Sequence, residues 1–149
     1  MKIVVSPNPY RDKQFKNARQ ACSILREAGA EVALCLPFDV DKTFEIPHDL
    51  RFQDIQKEIK TADMLICFGG DGTILHSSKI ATEHNLPILG VNIGTMGFIA
   101  ELESSEIELL RKIPKGEYTV EERTMLDVSV GNGRQTIFHE TALNDAVIT

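Results

Sequence analysis

The residues of this chain best suited to chemistry sit together in Gly69-Gly70-Asp71-Gly72-Thr73. Five apolar residues, Met64 to Phe68, run into three glycines within four positions, and an amphipathic stretch opens at Thr73. A strand that turns into a helix there, without side-chain bulk, leaves bare N–H groups at the positive end of the helix dipole. Such a spot favours a bound anion such as phosphate. Asp71 is out of place beside that anion. A carboxylate next to polyphosphate is repelled unless a cation, or a proton leaving a hydroxyl, lies between them, which narrows the chemistry to phosphoryl transfer. Asp71 would then be a general base toward a substrate hydroxyl, or a group near Mg²⁺. The plainer reading is a turn or N-cap residue, since Asp suits both roles. Neither familiar phosphate template fits: Gly-Lys-Ser/Thr is missing, and Leu75 stands where the dinucleotide fingerprint needs its third glycine.

Composition limits the partners. The chain has 149 residues, 42% of them hydrophobic, and no apolar run of transmembrane length, as expected of a soluble globular protein. Met1 leads straight into the apolar residues Ile3 to Val5, so no secretory signal is expected and the protein is read as cytoplasmic. A net charge of −6 argues against nucleic acid or an anionic membrane as partner. Cys22, Cys35 and Cys67 lie in apolar surroundings without a CxxC pair and read as buried, reduced thiols rather than as a disulfide or zinc set.

The elements that must position the turn follow in order. Lys2 to Ser6 reads as a strand broken by Pro7-Asn8-Pro9. A helix from about Lys13 carries Phe15, Ala18, Cys22 and Leu25 at helical spacing and stops at Gly29. Glu31 to Leu36 is a second strand, and Phe38 to about Leu50 a surface loop. Phe52, Ile55, Ile59 and Ala62 mark a short helix leading into Met64. Thr73 to about His84 forms the next helix, Pro87 to Val91 a fourth strand, and Asn92-Ile93-Gly94-Thr95-Met96-Gly97-Phe98 a second glycine loop. A further helix starts near Ser105, where Ser105 and Glu108 match a capping box. This alternation predicts an α/β fold, a doubly wound parallel sheet with helices on both faces. Both glycine loops would then face one crevice beyond the carboxyl ends of the strands.

Near Pro114-Lys115-Gly116 the pattern changes. Leu126, Val128 and Val130 alternate, Gly131-Asn132-Gly133 is a hairpin turn, and Thr136 to His139 and Ala142 to Thr149 are strand candidates. Residues 1–115 are thus read as the α/β domain and 116–149 as the start of a truncated, antiparallel β-rich domain. Its open edge suggests a chain completed by a partner, with self-association into a homo-oligomer through this region. Glu121 to Arg123 reads as a charged strand edge, and His48, His84 and His139 have no partners identifiable from sequence.

Three stretches together resemble the bacterial NAD kinases: Gly69-Gly70-Asp71-Gly72-Thr73, the loop Asn92-Ile93-Gly94-Thr95-Met96-Gly97-Phe98, and Ala142-Leu143-Asn144-Asp145. The first alone is shared with lipid kinases and phosphofructokinases. The resemblance implies phosphoryl transfer from ATP, carried with Mg²⁺ or another divalent cation, to the 2'-hydroxyl of the adenosine ribose of NAD. It further implies Asp71 as the base and Gly70, Gly72 and Thr73 close to phosphate. His76, one turn into the same helix, becomes either a phosphate donor or a solvated residue. Phe98 would wall the adenine, or else be core. Asn144 would meet an adenine edge, and Asp145 would accept from ribose hydroxyls. The family's downstream glycine, serine and threonine-rich segment is absent from these residues, so the chain alone is expected to be inactive or only binding-competent. A lipid or sugar kinase would explain the first turn but not the other two stretches. A non-catalytic dinucleotide-binding module would leave Asp71 without a task.

Overall fold

The computed structural model describes residues 1–94, 97–133 and 135–143. The apolar runs form five parallel strands: β1 (Lys2–Pro7), β2 (Glu31–Leu34), β3 (Met64–Gly69), β4 (Ile88–Asn92) and β5 (Leu102–Glu103), in the spatial order β2-β1-β3-β4-β5. β1 and β3 are central, which is why nearly every residue of both is buried and neither sequence alternates. α1 (Lys16–Glu27) and a 3-10 helix (Ser104–Lys115) pack on one face through Ala18, Leu25, Ile107 and Leu110 against Ile3, Val5, Ile66 and Phe68. The intervening residues Val4 and Leu65 face the other side, where Ala81 of α3 (Asp71–Glu83) and Ile59, just beyond α2 (Ile55–Glu58), cover them. The sheet is therefore doubly wound, as the alternation of elements predicts.

Several boundaries differ from the sequence reading. β2 stops at Leu34, and Cys35 makes only an isolated bridge to Gln53. β5, unforeseen, is held by parallel pairing of Val91 with Leu102 and Asn92 with Glu103. The capping box lies two residues earlier than Ser105 and Glu108 suggest. Glu103 is the N-cap and exchanges hydrogen bonds with Glu106, while Glu108 pairs instead with Arg111 at 2.8 Å.

Contacts divide the chain into the units Met1–Tyr118 and Thr119–Thr149. In the second, β6 (Leu126–Gly131) and β7 (Thr136–Ala142) form an antiparallel hairpin with a register shift at Val130/Gly131. Glu121 to Arg123 lies outside these strands, and Arg123 approaches Glu121 at 3.7 Å. His139 does have a partner: its Nε2 is 2.6 Å from Asp127 across the hairpin. The further strand expected from Ala142 onward lies, beyond Leu143, outside the described residues.

Candidate active site

In a sheet of this order the connections leaving β1 and β3 wind outward to opposite sides, and a crevice opens beyond the carboxyl ends of this pair. The loop after β1 forms one wall. Asn8 donates its amide to the Phe68 carbonyl at 2.8 Å, and the Arg11 and Asp12 amides both return to the Asn8 carbonyl. Asp12 fixes this loop from beneath. Its carboxylate is 1% exposed and accepts from the Asn17 amide, the Asn17 side chain and the Ala18 amide at 2.9–3.0 Å. It thereby caps α1 from outside, across Gln14 and Phe15, both at positive φ (52° and 57°).

The other wall is the turn from β3 into α3. Gly69 is required by contact rather than by dihedral angle, since a Cβ there would lie 2.3 Å from Thr73 Oγ1. Thr73 is buried, and its hydroxyl accepts from Asn8 Nδ2 at 2.8 Å, tying the two walls together. The Gly70 carbonyl takes the amides of Thr73 and Ile74. Asp71 and Gly72 open the helix, where amides have no intrahelical partner.

Between these walls lies a cavity of about 480 Å³, lined among the described residues by Gly70, Asp71, Gly72, Thr73 and His76, together with Asn8, Arg11, Phe38 and Gly94. Arg11 is the one guanidinium on it among the described residues. His76 is exposed but not free: Nε2–H donates to the Pro37 carbonyl at 3.1 Å, and the ring stands edge-on to Phe38 at 5.7 Å. It anchors the segment after β2 at the cavity mouth and keeps Nδ1 for a ligand.

Asp71 occupies the first turn of α3 and reaches across to the second glycine loop. Its oxygens accept from the Phe98 amide at 3.1 Å, and Oδ1 also accepts from the Ile99 amide at 3.2 Å. Gly97 is packed against it, for a Cβ there would come 2.8 Å from Asp71 Oδ1. The plain turn or N-cap reading does not describe this group, because the N-cap position belongs to Gly70 and the carboxylate is held by a separate loop. Phe98 itself is 88% exposed, so its ring is not core. Asn144 and Asp145 lie outside the described residues.

Among the described residues no group of three or more His, Cys, Asp or Glu is placed to hold a metal ion, and Asp71 is the lone carboxylate on the cavity. A divalent cation would fit here as an escort of polyphosphate, with Asp71 as at most one protein ligand. The three thiols are buried, and burial pushes both Cys35 and Cys67 up to about 12, which leaves them as inert core groups.

Asn8, Arg11 and Phe38 were not singled out from sequence. The signal was present: Pro7-Asn8-Pro9 ends β1, Pro37 follows β2, and the crevice rule points to the loops after both strands.

The parallel α/β sheet thus brings a helix N-terminus, a carboxylate and an arginine onto one cavity, an arrangement suited to an anionic ligand. The comparisons make this specific. Residues 2–118 match the ATP-NAD kinase N-terminal domain, and the chain belongs to that family. The NAD kinase of Caldanaerobacter subterraneus subsp. tengcongensis is 36% identical over 149 residues, covering 99% of this chain and 51% of that protein. The NAD kinase of Acetivibrio thermocellus is 29% identical over 153 residues, covering 100% of this chain and 50% of that protein. The chain thus spans about half the length of the relatives it matches. Yeast NADH kinase complexed with NADH is similar in fold, with a TM-score of 0.70 at 20% identity over 97% of this chain and 47% of that one.

Proposed function

We propose that the full-length protein is an NAD kinase, transferring the terminal phosphoryl group of ATP to the 2'-hydroxyl of the adenosine ribose of NAD. The observation that carries this reading is the Asp71 carboxylate, fixed by the Phe98 and Ile99 amides on the cavity that also holds the first amides of α3. Loop amides occupy one side of the carboxylate and leave lone pairs for an acceptor hydroxyl. Asp71 takes the proton as the ribose oxygen attacks phosphorus. The amides of Asp71 and Gly72 and the guanidinium of Arg11 take up charge on the donor phosphates. His76, held through Pro37, lines the same wall. A divalent cation carried with ATP would neutralise charge on the donor phosphates, with Asp71 as at most one protein ligand. Phe98 offers an exposed aromatic face for adenine, and Asn144 and Asp145 are assigned to the adenine edge and the ribose hydroxyls of NAD. Because this chain is about half a relative's length, turnover is assigned to the full-length protein.

The test is NADP formation by the full-length protein with ATP, NAD and Mg²⁺, repeated with Asp71→Asn. Loss of a positioned base is expected to lower kcat by roughly 10²- to 10⁴-fold. An unchanged rate would remove Asp71 from the chemistry and favour a nucleotide-binding module.

A further inference from the structure

Outside the catalytic crevice, one face of α1 carries a second concentration of charge. Arg19 and Arg26 are seven residues apart, two helical turns, with Cys22 between them, so all three lie on one stripe. The chain beyond position 48 runs back along the outer edge of β2, where the Gln53 amide donates to the Leu34 carbonyl at 2.8 Å. That return brings Arg51 to the same place. The three arginines line a cavity of about 510 Å³ that shares no residue with the catalytic one. Three of the seven arginines of a chain with net charge −6 therefore converge on one concave surface.

Among the described residues the one carboxylate on this cavity is Asp49, and it is already committed. It forms a two-point pair with Arg19, one arm at 2.9 Å, and the guanidinium holds Asp49 below the usual carboxylate range. Arg26 reaches the Val32 carbonyl at 3.4 Å but has no carboxylate partner among the described residues, and neither has Arg51. The cavity thus presents two uncompensated guanidinium charges over a floor of Cys22 and Leu34, each 5% exposed. Two such charges match one dianion. Planar guanidinium forks pair in two-point fashion with phosphate oxygens, and the apolar floor and the volume leave space for an organic remainder.

We propose that this cavity is a binding site for a small phosphate monoester, separate from the nucleotide substrates, held by Arg26 and Arg51 with Arg19 braced by Asp49. The site is independent of the kinase reading and can be tested without turnover. The full-length protein is titrated calorimetrically with inorganic phosphate, and with malonate at matched ionic strength as the carboxylate arm. The proteins compared are the parent, a double variant Arg26→Gln with Arg51→Gln, and Arg11→Gln, which removes the catalytic guanidinium instead. Both altered side chains of the double variant are solvent-facing, and an unchanged thermal melt verifies the fold. Saturable phosphate binding that survives Arg11→Gln and weakens by about tenfold or more in the double variant is the expected result. Equal phosphate binding by the double variant, or no saturable binding by the parent, would overturn the site. Malonate binding as tight as phosphate would overturn the phosphate assignment.

Discussion

Gly97→Ala is a single added methyl group whose target is already known from geometry. Its Cβ would stand 2.8 Å from Asp71 Oδ1 and 3.7 Å from Asp71 Cγ, whereas ordinary contact begins near 3.4 Å, so the carboxylate must retreat by about 0.6 Å or the loop must yield. The bonds from Phe98 and Ile99 are 3.1–3.2 Å long, and a retreat of that size stretches them past the useful range for N–H···O bonds. Phosphoryl transfer relies on near-attack placement, where an error of about 1 Å costs roughly 10²-fold in rate. For the smaller shift here, kcat for NADP formation by the full-length protein is expected to fall by about 10- to 10²-fold, with little change in KM for ATP. The assay is steady-state NADP production, run as a double-mutant cycle with Asp71→Asn. If the methyl acts through the carboxylate, adding Gly97→Ala to Asp71→Asn costs no more than about twofold further. A Gly97→Ala protein at parental kcat, or losses that multiply in full, would refute the reasoning.

Two further outcomes follow from the same contacts. Asp12→Ala deletes the buried cap of α1 and orphans the Asn17 and Ala18 amides. Urea unfolding should show a loss of about 2–3 kcal/mol, and KM for ATP should rise because the loop carrying Arg11 loosens. The folded state also holds the thiol protons of Cys35 and Cys67 more tightly than the unfolded chain. Stability is therefore unaffected by these groups below the thiol value of 9.0 and declines from there toward about 12. The urea midpoint should fall between pH 8 and 10, and it should fall less in a Cys35→Ala, Cys67→Ala protein. An identical slope in the two proteins would assign the alkaline loss to other groups.

How much of this could be read in the sequence depended on whether the cause was local. Met64 to Phe68 and Ile3 to Val5 are apolar throughout because both of their faces are covered, and that pattern survives in one dimension. β5 is two residues long and exists only because β4 presents a free edge, so nothing in Leu102-Glu103 announces it. The capping box was misplaced because S-x-x-E at Ser105 is the stronger motif, whereas the chain leaving β5 fixes Glu103 as the cap. At the site, the glycine turn and Asp71 were visible as an arrangement at odds with its expected ligand. Asn8 is 65 residues from Thr73, the hydroxyl it holds, and His76 is 39 residues from the carbonyl it meets. Such pairings are created by strand order, which local spacing does not encode.

The hydrogen bond between Asn8 and Thr73 ties the loop after β1 to the first turn of α3 within the unit Met1–Tyr118. The groups proposed to meet the donor phosphates, Arg11 and Gly72, with His76 on the same wall, all come from that unit, which also carries Asp71 and Phe98, whereas Asn144 and Asp145, proposed to meet the acceptor, lie downstream of it. Exchanging the downstream half of such a protein should redirect which alcohol is phosphorylated and leave the donor preference where it was.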